Sequence, residues 1–371
     1  MLQLLLEDIR LLPAVPAAAA QAYRQNAPAL VEAVNHLLTD DPETPALLGG
    51  NPLSLMYQNH ENHARFLADV FSYQQLELLV RTVPWVYHAY HAHGFSYGYF
   101  PRALSAWRKA ITHLLPADQQ SEILAVYRWL LDNHERMEAY SQTPEVSRGI
   151  VLGELSAEAL GLLSKLLQGE DRGALKLAML KANSPQNLQS LYLEMIQPAM
   201  YEVGALWEKG EVSVAQEHLC SAMVNRIMAV TVPRFIPEGT SLGRAVVTAA
   251  PNEFHEIGTR MVADLLELDG WEVDYLGANT PTADLVRHVR ERQPLLLAVS
   301  VSMPFNIDTA HEMIAAVRAI PELRQLRILV GGRLFHSTPE LWRALEADGC
   351  ATDAAGAVAL ARSWFGPQGS V

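Results

Sequence analysis

Apolar residues recur every three to four positions up to about residue 237, then gather into short unbroken runs. The first pattern is that of helices packed through one face; the second is that of strands buried on both faces. Met1 to Leu6 opens a short helix, and Ala17 to Leu38 is an Ala/Leu-rich one. Asp41-Pro42-Glu43-Thr44-Pro45 and Gly49-Gly50-Asn51-Pro52 break the pattern, with Asn51 as N-cap and Pro52 as the first residue of the next helix. That helix runs to about Phe71 and carries Leu53, Met56, His60, His63, Leu67 and Val70 on one stripe. Gln75 to His93 is another, with Pro84 as its expected kink. An aromatic turn, Gly94 to Pro101, leads to helices Arg102 to Leu115 and Ala117 to Tyr140. Residues 1–142 therefore read as an all-α bundle of globin-like kind.

Residues 143–240 read as a four-helix bundle, broken near Gly169-Glu170-Asp171, Ser184-Pro185 and Gly210-Glu211-Val212-Ser213. Its third helix spans Gln186 to Lys209 and its fourth Ser213 to Val232; Pro233 and Pro237 close it. In residues 241–371 strands at Ala245 to Ala250, Val273 to Leu276, Leu295 to Ser302, Arg327 to Val330 and Cys350 to Thr352 alternate with helices. The helices are Thr259 to Leu268, Thr282 to Arg292, Asp308 to Ile320 and Ala355 to Phe365. That alternation predicts a doubly wound, Rossmann-like domain of flavodoxin-like order.

Composition narrows the function. The 371 residues are half hydrophobic, enough for several cores, and carry a formal net charge of -13, which argues against a chain built to neutralise phosphates. Cys220 and Cys350 are the two cysteines, in no metal-ligand pattern, which suits a reducing cytoplasm. The apolar N-terminus lacks a positive leader and meets Glu7, Asp8 and Arg10 at once, so it is read as a helix, not a signal peptide. No run approaches the ~20 apolar residues of a membrane span.

Three groups of residues could carry chemistry. Glu253-Phe254-His255-Glu256-Ile257-Gly258 comes directly after the first predicted strand, so His255 sits on a βα loop at the carboxyl edge of the sheet, where such folds bind ligands. It is equally compatible with an ordinary loop histidine. Trp207 precedes Glu217-His218 across the third bundle break, and core packing alone accounts for a lone tryptophan. Histidines crowd residues 1–142, notably His60/His63 and His88/His91/His93; without a His-Glu-x-x-His pattern they read first as satisfied core or surface residues. A haem, needing one axial histidine, stays open.

The loop Glu253-x-His255-x-x-Gly258 resembles the Asp-x-His-x-x-Gly signature of cobalamin-binding domains. The resemblance implies that His255 is the lower ligand of cobalt, that Glu253 fixes its tautomer, and that Gly258 lets the cofactor approach. Glu in place of Asp lengthens the arm and leaves a direct bond to His255 open. Trp207-x9-Glu217-His218 resembles the lid of light-sensing, adenosylcobalamin-binding proteins of the CarH type. There the tryptophan packs on the adenosyl group, the glutamate and histidine contact it, and a small apolar residue, Val214 here, lies over the cofactor. Ser300, Ser302 and Gly331-Gly332 resemble the elements that line the slot for the nucleotide tail, with Ser302 where Leu or Thr is usual.

The resemblance spans residues 143–371. Methyl-carrying corrinoid proteins share bundle and sheet but not the tryptophan lid, and nothing resembles the substrate barrel of a cobalamin isomerase. Residues 1–142 hold no basic recognition helix, so direct DNA binding is not expected. A helical domain ahead of a cobalamin lid resembles the photocobilins, which pair cobalamin with biliverdin. That implies a non-covalent bilin, since residues 1–142 contain no cysteine, with Arg81 and Arg102 for its propionates and Tyr87, His88, Tyr90 and His91 for its pyrroles or lactams. Haem or an empty dimerisation bundle are the rivals. Glu208 comes after Trp207 where CarH-type proteins can offer a cobalt-capturing histidine. The whole reads as a cytoplasmic photoreceptor rather than an enzyme. It would be a homo-oligomer whose state changes with light, with a downstream protein partner open.

Overall fold

The computed structural model describes residues 1–147, 155–237, 239, 241–338 and 340–365. The chain divides into two compact units, residues 1–149 with 205–211, and residues 150–204 with 212–371.

The first unit is helical. Its main helices are α1 (Leu2–Ile9), α2 (Ala17–Thr39), α3 (Leu53–Ser72), α4 (Glu77–Ala92), α5 (Tyr99–Leu114), α6 (Ser121–Asp132) and α7 (His134–Ser141). The helix expected over 117–140 is two: Asn133 ends α6, and its side-chain amide donates to Trp129 O at 3.0 Å. That local bond competes with helix continuation, as Asn commonly does. Asn51 is not the cap of α3, which starts after Pro52; its amide instead donates to Leu48 O and His93 O. The core holds Tyr23, Phe71, Tyr87, Trp107 and Tyr127, all fully buried. Their polar ends are paired: Tyr23 with Tyr127 at 2.7 Å, and Tyr127 with His63 Nε2 at 2.9 Å. His60 bridges Asn35 and Tyr99. Burial holds His60 down to about 4 and His63 to about 3, so both are neutral in the core. These two histidines are structural members of the core.

The second unit combines a four-helix bundle with a parallel sheet. The bundle runs α8 (Ala157–Leu167), α9 (Asp171–Lys181), α10 (Pro185–Ser190) with α11 (Gln197–Glu208), and α12 (Val214–Thr231). Its third helix is not uniformly α: Leu191–Ile196 is π-helical, an insertion that amphipathic spacing does not reveal. Ser184 caps α10, and a capping box of Ser213 and Gln216 starts α12.

The sheet strands are β1 (Arg244–Ala249), β2 (Glu272–Gly277), β3 (Leu296–Ser300), β4 (Arg327–Gly331) and β5 (Gly349–Ala351), all parallel, in the order β2-β1-β3-β4-β5. Helices α13 (Ile257–Leu268), α14 (Thr282–Arg292), α15 (Ile307–Arg318) and α16 (Ala354–Phe365) connect or cover them. This is the Rossmann-like arrangement the strand and helix alternation predicts. Because β2 and β3 lie on opposite sides of β1, the order reverses there, and the loops after β1 and β3 flank the switch point. Ala249, Ser300, Gly331 and Ala351 stand in register along the carboxyl edge. Leu162, Met195, Met223 and Ile227 of the bundle share one core with Met261 and Leu265 of α13, so bundle and sheet pack as a single body.

Candidate functional site

The loop after β1 is held from below. Glu253 is fully buried, and its carboxylate is shared between two duties. Oε1 takes the imidazole Nδ1 of His255 at 2.5 Å and the His255 amide at 3.2 Å. Oε2 accepts from the amides of Ser302 at 2.7 Å and Met303 at 2.9 Å, and from Asn306 Nδ2 at 3.3 Å. The direct bond that the Glu-for-Asp exchange left open is therefore present: the longer arm reaches because the β3 loop grips its far oxygen.

Burial alone would raise the Glu253 carboxyl. The hydrogen bond and charge of His255 and the two loop amides outweigh it and hold the group below the usual range. In return Glu253, chiefly by its hydrogen bond, lifts the His255 imidazole against the cost of burial; Arg333 opposes and Glu217 adds. With Nδ1 turned to the carboxylate, Nε2 is the free nitrogen, and it makes no hydrogen bond among the described residues. The His255 side chain is 64% exposed above a carboxylate that is 0% exposed.

Asn306 is the residue that sequence reasoning missed. It stands at the N-cap of α15, where Asn normally accepts from its own helix, yet makes no cap bond. Its amide goes to Glu253 and to Asn252 O instead, and its Oδ1 is buried without a hydrogen bond. A helix-start asparagine in a sequence reads as a cap; only the fold shows it spent on the loop.

The bundle contributes from the other side. Val214, Glu217 and His218 occupy the first turns of α12, with Val214 53% and the His218 side chain 73% exposed. Glu217 accepts from Ser221 at 2.6 Å and pairs with His218 Nδ1 at 2.7 Å. Its charge adds to the upward shift of the His255 imidazole. Lower on α12, Asn225 donates to Glu256, the residue after His255, at 3.0 Å. Val214 and Phe254 are both exposed apolar residues of this unit.

Gly258 lies in the first turn of α13, which begins two residues earlier than expected, and a side chain there would meet nothing within 4 Å. Ser300 and Ser302 lie at the carboxyl edge, and neither hydroxyl has a partner among the described residues. The glycine pair was expected to make room. Gly332, at φ +109, has its side-chain position blocked 2.4 Å from Val301 O, and that of Gly331 lies 3.0 Å from Ala351 O. Close backbone requires glycine at Gly332 and leaves little room at Gly331. Trp207 lies within residues 205–211, which belong with the first unit, where its ring is 5.1 Å from that of His93.

The six bilin candidates stand in different settings. Tyr87 is core, stacked 3.7 Å from Phe100 and bonded to His134. Tyr90 packs between Phe95 and Phe100, while His91 is exposed and stacked on Tyr97 at 4.1 Å. His88 is half-buried, and burial lowers its imidazole. Arg81 is exposed and makes no ion pair among the described residues. Arg102 is already paired with Asp41 and Glu43.

The described residues contain no three His, Cys, Asp or Glu side chains placed to cage a bare metal ion. One exposed, oriented imidazole beside the open space over Gly258 suits a metal that arrives in a macrocycle and needs one axial nitrogen. The residues fit such a cofactor.

Residues 243–361 match the B12 binding domain family, and residues 160–231 match a second family of B12 binding domains. Apart from residues 205–211, both matches to B12 binding domains fall in the second unit. Among similar proteins is the HTH-type transcriptional repressor CarH of Myxococcus xanthus, 34% identical over 39% of this chain and 47% of that one. Trimethylamine corrinoid protein 1 of Methanosarcina acetivorans is 26% identical over 36% of this chain and 63% of its own. Dimethylamine corrinoid protein 1 of Methanosarcina mazei is 24% identical over 47% of this chain and 82% of its own. The chain spans less than two thirds of the first two relatives. Among the described residues no helix is long and apolar enough to cross a membrane.

Proposed function

We propose that this protein is a cobalamin-dependent light sensor that binds adenosylcobalamin with His255 as lower ligand. The observation that carries the reading is Trp207-x9-Glu217-His218 ahead of the bonded Glu253–His255 pair in the chain. When bound, the cofactor supplies a cobalt–carbon bond that light cleaves. Glu253 keeps the His255 proton on Nδ1 and so keeps Nε2 as a donor. Val214, Glu217 and His218 would be the bundle residues that hold the group opposite His255, and Trp207 would supply dispersion contact to a bulky ligand. Losing that contact would be the change that alters the assembly state of the homo-oligomer. In this reading the output is a change of state read by a partner, in the cytoplasm.

A non-covalent biliverdin in the first unit belongs to the same proposal. Its helical setting, its density of Tyr and His and its lack of cysteine support it, with Arg81 available for a propionate. Arg102 would have to leave Asp41 and Glu43 to serve. Co-expression with a haem oxygenase tests it, a long-wavelength band supporting a bilin and a Soret-dominated spectrum favouring haem.

The similarity to corrinoid proteins favours a second reading, a methylcobalamin carrier. Trp207→Ala separates the two. A sensor loses affinity for adenosylcobalamin by about tenfold, the equivalent of about 1.4 kcal/mol, while methylcobalamin binding barely changes. Equal losses favour the carrier.

A further inference from the structure

Residues 205–211 are held by the end of α4. Helix α11 ends at Glu208, and Gly210 at φ +73 turns the chain. A side chain at Gly210 would stand 2.9 Å from Ala92 O, so only glycine allows this approach to the last residue of α4. The Trp207 ring lies 5.1 Å from His93, tilted by 46°. Glu208 is buried at 3% exposure, and its charge is felt at His88, one helical turn and a residue before His93.

His93 is fixed before it meets the tryptophan. Its Nδ1 donates to Ala89 O at 2.7 Å, and its carbonyl accepts from Asn51 Nδ2 at 2.8 Å. The same corner brings Gly49 and Gly94 together so tightly that no side chain fits at Gly49. With its ring held at Nδ1 and its backbone at the carbonyl, His93 would pass a displacement of Trp207 into the end of α4.

We propose that the end of α4, through His93, is the receiver for Trp207, carrying the state of the cobalamin upper ligand into the N-terminal unit. The inference rests on the sensor reading for what moves Trp207, and it gives His88 and His93 a role apart from any second chromophore. The partner surface is a segment of this same chain, Ala205–Glu211, recognised by ring packing and by glycine-permitted backbone approach.

The test is hydrogen–deuterium exchange on the full chain loaded with adenosylcobalamin, in the dark and after green light. Absorption spectra are taken on the same samples. In the wild type, exchange in both 77–93 and 205–211 should change on illumination. In His93→Ala the change in 205–211 should persist and that in 77–93 should disappear; His93→Phe, which keeps a ring, should retain both. A silent α4 in the wild type overturns the proposal, as does an intact response in His93→Ala. Loss in His93→Phe as well assigns the effect to general disruption and overturns it too. Spectra separate the two failures: photolysis with a silent α4 sinks only this inference, whereas no bound cobalamin sinks the sensor reading with it.

Discussion

At the scale of single residues, the site is a relay in which each group fixes the next. The β3-loop amides and Asn306 hold Glu253, Glu253 holds Nδ1 of His255, and Nε2 is left without a hydrogen bond among the described residues. His255→Ala should remove the imidazole nitrogen pattern from electron paramagnetic resonance of the bound Co(II) cobalamin. Asn306→Leu should retain that pattern but weaken cobalamin binding by about tenfold, the lower end for loss of a group supporting a metal ligand. An unchanged pattern in His255→Ala would remove the histidine from cobalt. The sequence made Glu253 and His255 legible because their spacing is local. Asn306, 53 residues from Glu253, was not, since its partner is set by sheet order rather than by neighbours in the chain.

At the scale of elements, the bundle is joined to α13 by one buried polar contact within the shared core. The Tyr192 hydroxyl, in the π-helical segment, donates to Asp264 Oδ2 at 2.6 Å, with Arg260 3.7 Å from the same oxygen. Burial raises the Asp264 carboxyl from 3.8 to about 6, against the pull of Tyr192 and Arg260. A carboxyl raised on folding stabilises the fold while protonated. Its contribution is complete below about pH 4 and is lost as pH rises through about 6. At about 1.4 kcal/mol for each tenfold change in proton affinity, the loss is about 3 kcal/mol. Urea denaturation should show wild-type stability falling relative to Asp264→Asn between pH 4 and 6; parallel pH profiles would contradict it. Glu267, raised by its own burial and by Asp264, contributes to the same difference. Amphipathic spacing found these helices and unbroken apolar runs found the strands, because burial leaves its pattern in the sequence. It could not find the π segment, the break at Asn133, or the tight backbones around Gly331 and Gly332, which depend on what packs alongside.

At the scale of the whole molecule, light acting on bound adenosylcobalamin is proposed to change the state of the chain. Three features support that output: an exposed imidazole on a buried carboxylate, the exposed residues that open α12, and a tryptophan whose ring rests on an anchored histidine. A carrier of methyl groups needs the first of these features but not the last two. The decisive experiment is sedimentation velocity of the full chain loaded with adenosylcobalamin, recorded in the dark and after green light at the cobalamin absorption bands. A light sensor should give different sedimentation coefficients in the two samples, with no difference in the methylcobalamin-loaded chain. Identical coefficients in dark and light, with the spectrum proving that the cobalt–carbon bond has been broken, would contradict the sensor reading.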